Sequence, residues 1–78
     1  MASVESHDEV YERFDSGYML CFQRCTYHYE GDKPSEHGYR FIWKTPEGRL
    51  QPQRGQARIP SPDILQRLLE AARKAGWY

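Results

Sequence analysis

Residues 37–44 read HGYRFIWK, and this stretch decides the fold because its aromatic side chains recur at every second position. A period of two is that of a β-strand, so Tyr39, Phe41 and Trp43 are expected on one face of a sheet. The opposite face then carries two cations and one aliphatic residue, namely Arg40, Ile42 and Lys44. Which face is buried determines whether the rings form a core or an exposed surface.

Two further strands are predicted on either side of this stretch. Residues 18–29 are rich in aromatic and β-compatible side chains and contain no Gly or Pro, which indicates a long strand. Residues 50–59 are predicted to form the last strand, with Pro52 and Gly55 marking an edge or a bulge. Together with residues 39–44, these strands would form an antiparallel meander.

The turn TPEG at residues 45–48 leaves two registers open for the second hairpin. A proline-led turn that ends in Gly is typical of a three-residue loop with a bulge, which would pair Trp43 with Gln51. A four-residue loop would instead pair Trp43 with Leu50 and give the aromatic face an apolar neighbour. We expect the second register, because burial specifies register more strongly than a turn preference does.

The C-terminal residues carry the most complete set of local signals. Ser61 is a favourable N-cap, Pro62 suits the first helical position, and Gly76 is placed for a left-handed C-cap. Between them, apolar residues recur at helical spacing: Ile64, Leu65, Leu68, Leu69 and Ala72. This stripe must bury against the sheet, and a face with two unpaired cations is unsuitable for it. The aromatic face is therefore expected to point towards the helix.

Residues 1–16 are predicted to be an acidic N-terminal arm or a short helix, preceding a single βββα domain over residues 17–78. They contain five acidic residues and one basic residue, whereas the remainder contains ten basic and six acidic residues. Ser6 followed by Glu9 fits a capping box, which would start a helix over roughly residues 7–14. The predicted class is α+β: a three-stranded antiparallel meander with a C-terminal helix packed on one face and this optional short N-terminal helix.

An exposed aromatic surface is the alternative arrangement of the sheet. A glycine followed by alternating aromatics resembles one short motif of RNA-binding sheets, whose rings stack on bases. That motif has Gly or Ala at the position of Arg40 and an aromatic residue at the position of Lys44. It also belongs to a fold with two helices and four strands, so a buried aromatic face remains the prediction.

Composition restricts the class of protein. The chain has 78 residues and no net charge, and its three Phe, two Trp and six Tyr are sufficient for one small core. No apolar run approaches the roughly 20 residues of a membrane span, and the N-terminus lacks the apolar region of a secretory signal. Two cysteines do not make a disulfide framework. We therefore expect a cytoplasmic protein without a membrane anchor.

Residues that could carry chemistry are few. Cys21 and Cys25 would lie about 13 Å apart on one strand, too far for a shared zinc ion or a disulfide, so we expect no metal and no cofactor. Neither thiol lies at an electropositive helix start, and neither a phosphate-binding loop nor a G-x-S-x-G motif is present. A chain this short is also not expected to enclose a pocket of roughly 300 Å³. The sequence predicts a noncatalytic protein without a small-molecule substrate.

The remaining candidates are binding surfaces. Five basic residues are expected on or beside the sheet face opposite the helix: Arg40, Lys44, Arg49, Arg54 and Arg58. The open face or edge of a small sheet can also bind a protein partner or a second copy of the chain. We predict a noncatalytic interaction module that binds a protein partner or itself in this way. The alternative is a nucleic-acid-binding module that uses the basic face, gated by the acidic arm.

Overall fold

The fold, seen in a computed structural model that describes residues 2–51 and 57–78, is a three-stranded antiparallel sheet followed by one helix. The strands are β1 (Ser3–Arg13), β2 (Met19–His28) and β3 (Glu36–Lys44), and the helix is α1 (Pro62–Lys74). The strand order β1-β2-β3 makes β2 the central strand. The predicted α+β meander with a C-terminal helix is confirmed.

The N-terminal segment is a strand rather than a helix. It pairs with β2 from Ser3 opposite His28 to Arg13 opposite Met19, with a shift in register between Ser6 and Asp8. The prediction of a short helix is wrong, and the segment is part of the sheet rather than an arm in front of it. A capping box is a local signal with little stabilising power in so short a helix, whereas pairing with β2 satisfies backbone groups along the whole segment.

The predicted strand over residues 50–59 is present only in part of its described length. Leu50 forms an isolated bridge with Lys44, and residues 57–59 belong to no strand. The edge or bulge predicted at Pro52 and Gly55 lies outside the described residues. Two of the three predicted strands therefore correspond to β2 and β3, and the third strand of the meander is β1.

The turn between β3 and Leu50 has the three-residue register. Gly48 has a φ of 86° and donates its backbone N–H to the carbonyl of Thr45 at 2.8 Å, as a Gly in the left-handed region does in such a loop. Gln51 donates to the carbonyl of Trp43 at 2.8 Å. Our expectation that Trp43 pairs with Leu50 is wrong, because α1 packs mainly on β1 and β2 and burial does not constrain this register.

The helix begins and ends as its local signals predict. The Ser61 hydroxyl accepts a hydrogen bond from the backbone N–H of Ile64, and Gly76 adopts a φ of 86° beyond the last turn. Trp77 donates its backbone N–H to the carbonyl of Ala72, which completes a Schellman motif. No helix among the described residues is long and apolar enough to span a membrane.

The core lies between α1 and one face of β2. Its buried members come from the central strand, the helix and the residue after the C-cap: Leu20, Phe22, Ile64, Leu68, Ala72 and Trp77. Phe41 and Trp43 pack against this cluster, and Tyr39 stacks on Phe22 with ring centroids 5.8 Å apart. The prediction that the aromatic residues of the opening stretch point towards the helix is confirmed, although Tyr39 remains half exposed.

Candidate interaction surface

The sheet face turned away from α1 carries no packed layer in the described part of the chain. Side chains alternate along each strand, so the residues that flank the core positions of β1, β2 and β3 point to this side. The open face, as we call it, includes Glu9, Tyr11, Arg13, Met19, Cys21, Gln23, Cys25, Arg40, Ile42 and Lys44.

A polar row crosses the middle of the open face. It is formed by Glu9, Gln23 and Arg40, which lie directly opposite one another on the three strands. The Gln23 amide donates to Glu9 Oε1 at 2.9 Å, and Arg40 Nε donates to Gln23 Oε1 at 2.7 Å. Lys44 Nζ lies 2.8 Å from Glu9 Oε1 and forms an ion pair with that carboxylate. The charged groups at the centre of the open face are therefore bound to neighbours within it.

An apolar row lies beside the polar row. Its members Tyr11, Cys21 and Ile42 are also direct cross-strand neighbours. Tyr11 is 53% exposed, whereas Cys21 is completely buried beneath the longer side chains on either side. Leu50, which is 49% exposed, lies on the same face because it is the bridge partner of Lys44. The open face thus presents apolar groups next to a band of paired charges.

Burial disfavours the thiolate form of both cysteines of the open face. Burial, and the negative charge of Glu9 next to it, raise the pKa of the Cys21 thiol to about 12. Burial also raises the pKa of Cys25, although the nearby Arg40 acts in the opposite direction. Because only the thiolate attacks electrophiles, both cysteines act as small buried side chains.

Glu9 is the anion around which the polar row is organised. Burial alone would raise the pKa of this carboxyl group, but hydrogen bonds from Lys44, Gln23 and Cys21 outweigh burial and lower it. The carboxylate is therefore ionised throughout the neutral range and keeps Lys44 paired. Sequence reasoning did not select Glu9 or Tyr11, because the N-terminal segment was not recognised as a strand, and without Glu9 nothing singled out Gln23 on β2.

Of the five predicted basic residues, the structure describes four, and these lie at three different places. Arg40 and Lys44 lie on the open face, where Gln23 and Glu9 bind them. Arg49 is exposed at the turn after β3, and its backbone pairs with Thr45. The Arg58 carbonyl accepts a hydrogen bond from the indole of Trp43, which places the Arg58 backbone on the helix side of the sheet. Arg54 lies outside the described residues.

A concave feature also lies on the helix side, at the end of the sheet that α1 leaves uncovered. It is a cleft of about 390 Å³, which is larger than we expected for so short a chain, and its lining includes His7, Arg24, His37 and Tyr39. The Thr26 hydroxyl lies 2.7 Å from His7 Nε2 and 3.1 Å from His37 Nδ1, while Arg24 forms an ion pair with Asp8. The two imidazoles thus share the Thr26 hydroxyl, and the Arg24 guanidinium has a carboxylate partner.

Metal-binding residues are not grouped in the part of the chain that the structure describes. No cluster of three or more His, Cys, Asp or Glu side chains there could hold a metal ion. Cys21 and Cys25 are both free thiols on the open face, and His28 points to the helix side. Comparison of the chain with protein-family models, with curated proteins and with solved structures returns no match, so the two faces are interpreted from their own chemistry.

Proposed function

We propose that this chain is a small noncatalytic module that binds a protein partner through the open face of its sheet. The observation that carries the proposal is the combination of paired charges and exposed apolar groups on that face. Lys44 is paired with Glu9, and Tyr11 and Leu50 expose about half of their surface beside them. This is the composition of a surface that can be covered by another protein.

The charged side chains determine whether the open face can be covered by another protein. Covering an unpaired charge with a protein surface is unfavourable by several kcal/mol, because the lost hydration is not replaced. Glu9 and Lys44 already satisfy each other, and Gln23 supplies a further hydrogen bond to the carboxylate. A partner can therefore exclude water from this ion pair without leaving either member unpaired, whereas Arg40, which is held by the neutral Gln23 amide, carries a charge that the partner has to match. Tyrosine is also among the residues that contribute most to protein interfaces.

The face is a better candidate than the outer edge of β1. Edge strands that avoid pairing with other chains carry charges and bulges. β1 has a register shift between Ser6 and Asp8, and it is rich in acidic side chains. These features disfavour addition of an extended peptide at this edge, whereas the open face has no comparable protection.

A noncatalytic role agrees with the state of the strongest potential nucleophiles. A catalytic cysteine needs a lowered pKa, whereas burial raises the pKa of Cys21 to about 12. The raised pKa of Cys21 therefore supports a binding role for the open face rather than a catalytic one.

The proposal is tested by quantitative affinity capture with the immobilised chain as bait. The variant Tyr11→Arg places a charge on the open face at an exposed position, so we expect it to lose partners that the unchanged chain retains. Tyr78→Arg is the matched control, because Tyr78 is also exposed, at 65%, but contacts the Leu69 carbonyl on the helix. Identical capture profiles for the unchanged chain and the two variants would refute the proposal.

The alternative, binding of nucleic acid through the basic residues, has weaker support. Phosphate binding requires protein cations that are free to replace the counterions condensed on the nucleic acid. Lys44 is instead paired with Glu9, and Arg40 donates Nε to Gln23. Deleting residues 1–16 would not test the alternative, because it would remove β1 and expose β2. A better test is the anisotropy of labelled single-stranded RNA and duplex DNA at about 50 mM salt, with Arg49→Glu as the variant. Salt-sensitive binding that this variant weakens would favour the alternative.

A further inference from the structure

We infer that the partner of the open face is a second copy of this chain, related by a two-fold axis parallel to β2. The inference rests on the proposed function and assigns its partner. It follows from the way in which charge is distributed across the polar row, with the anion on one outer strand and the cation on the other.

The charge pattern distinguishes between the two ways of stacking this sheet on itself. Two sheets pack face to face about 10 Å apart, and a two-fold axis between them can run along the strands or across them. An axis across the strands and through the polar row would keep β1 over β1, and so place Glu9 over Glu9 of the second copy. An axis along β2 exchanges the outer strands and places Glu9 over Arg40. Of these two arrangements centred on the polar row, only the second joins opposite charges.

The same axis also matches the apolar row. Tyr11 is carried over Ile42 of the second copy and Ile42 over Tyr11, while Cys21 lies near the axis. Contacts of this reciprocal kind define an isologous interface. The usual rotation of about 30° between packed sheets displaces these pairs by only a few ångströms at the neighbouring strands, which long side chains can span. Arg13 is also brought over Lys44, but Lys44 Nζ is held by Glu9, and Arg13 is exposed at the end of β1, where its guanidinium can stay in water.

The size of the face limits the affinity. Three strands about 4.8 Å apart and ten residues long give each copy roughly 400 Å², against roughly 800 Å² per partner in a standard interface. The absence of net charge on the chain means that two copies do not repel each other. We therefore expect a reversible dimer with a Kd on the order of 10–100 µM, in rapid exchange with monomer.

Sedimentation equilibrium of the purified full chain, from about 10 µM to 1 mM, tests the inference across that range of Kd. Glu9→Lys and Arg40→Glu should each weaken the dimer by at least about tenfold, since like charges then face each other across the interface. An equimolar mixture of the two variants should regain association, because in the mixed dimer both contacts again join opposite charges. Glu70→Lys is the matched control: Glu70 is also paired with a base, Arg73, but lies on α1, and this reversal should leave the Kd unchanged.

Tyr11→Ser provides a second test that does not depend on the polar row. Tyr11 is half exposed, so its truncation should leave folding intact and still weaken the dimer by about tenfold. A wild-type chain that is monomeric at 1 mM, or a dimer that is unaffected by Tyr11→Ser and by both charge reversals, would overturn the inference. A monomeric chain that nevertheless captures another protein in a manner sensitive to Tyr11→Arg would leave the proposed function standing with a different partner.

Discussion

The two faces of the sheet bury their side chains by different means. On the helix side, Leu20 and Phe22 are covered by α1 and Trp77, and they belong to the core cluster. On the open face, Cys21 and Gln23 of the same strand are just as inaccessible, with exposures of 0% and 3%, although no described element packs on them. Their burial comes from neighbouring side chains on β1 and β3. Burial on a central strand is therefore not evidence of a second layer.

The two kinds of burial differ in how easily they can be removed. Burial beneath a helix depends on many apolar contacts and cannot be removed without unfolding the domain. Burial beneath paired side chains depends on a few hydrogen bonds, and those side chains remain available to a partner. The helix side accordingly maintains the fold, and the open face is the surface on which we place binding.

The largest expected difference between the faces is in stability. Phe22→Ala should destabilise the chain by about 3–5 kcal/mol, because it removes an aromatic ring from between α1 and Phe41. Tyr11→Ala on the open face should change stability by less than about 1 kcal/mol, since half of that side chain is already in water. Equilibrium unfolding in urea at low protein concentration gives the free energies of unfolding of the two variants. Similar losses for both variants would show that the faces do not differ in this way.

A chemical measurement tests how well the open face excludes water. With a pKa of about 12, the Cys21 thiol should have roughly a thousandfold less thiolate at pH 8 than an unfolded cysteine. The reaction of a Cys25→Ser variant with an aromatic disulfide reagent should slow by a comparable factor in the folded state. Adding Glu9→Gln should speed it, because Glu9 is the second cause of the raised pKa. A folded-state rate within tenfold of that in denaturant would mean that the thiol is accessible.

The smallest expected effect concerns the pH dependence of the polar row. The pKa of Glu9 is lowered on folding, so its contribution to stability is present above the usual pKa of 4.5 and is lost as pH falls through the lowered value. Glu9→Gln should therefore be less stable than the wild type by about 1 kcal/mol or less at pH 7, a figure that allows for partial exposure. The two should converge as the pH falls below the lowered pKa of Glu9.

The matched control for this measurement is Glu70→Gln. Glu70 also has a lowered pKa, caused by its hydrogen bond from Arg73, but this pair is more exposed to solvent than Glu9 and Lys44 are. Its pH-dependent effect should be smaller than that of Glu9→Gln in the same urea titrations. A larger effect at Glu70 would contradict the view that partial burial strengthens the ion pair of the open face.

Much of the candidate surface could not be predicted from the sequence, for a specific reason. The two cations Arg40 and Lys44 were visible, and so was the side of the sheet on which they lie. The anion that binds Lys44 stands 35 residues earlier in the chain, in a segment with a local helix signal. Two cations on one face of a sheet are themselves an indication of a neighbouring acidic strand, because opposite charges pair across strands. That indication depends on residues far apart in the chain, so in a reading of the sequence the local capping-box signal takes precedence over it.

What the sequence determined by itself is the local structure. Ser61, Pro62 and Gly76 specify the ends of α1 through contacts within a few residues, and the turn TPEG specifies its own three-residue register. The alternation of Tyr39, Phe41 and Trp43, together with the apolar stripe of the helix, also specifies which face is buried. These features depend on neighbours in the chain or on a single choice between two faces.

Only the tertiary structure decided that β1 is a strand and that the open face has its charges paired. Strand pairing satisfies backbone groups with partners far away in sequence, so an amphipathic or acidic segment becomes a strand when an adjacent strand has a free edge. The same pairing places Glu9 beside Gln23 and Lys44, so that Lys44 is held in an ion pair and Arg40 is held by the Gln23 amide. The chemistry of the surface was therefore set by which strands are neighbours, and that is a property of the folded chain.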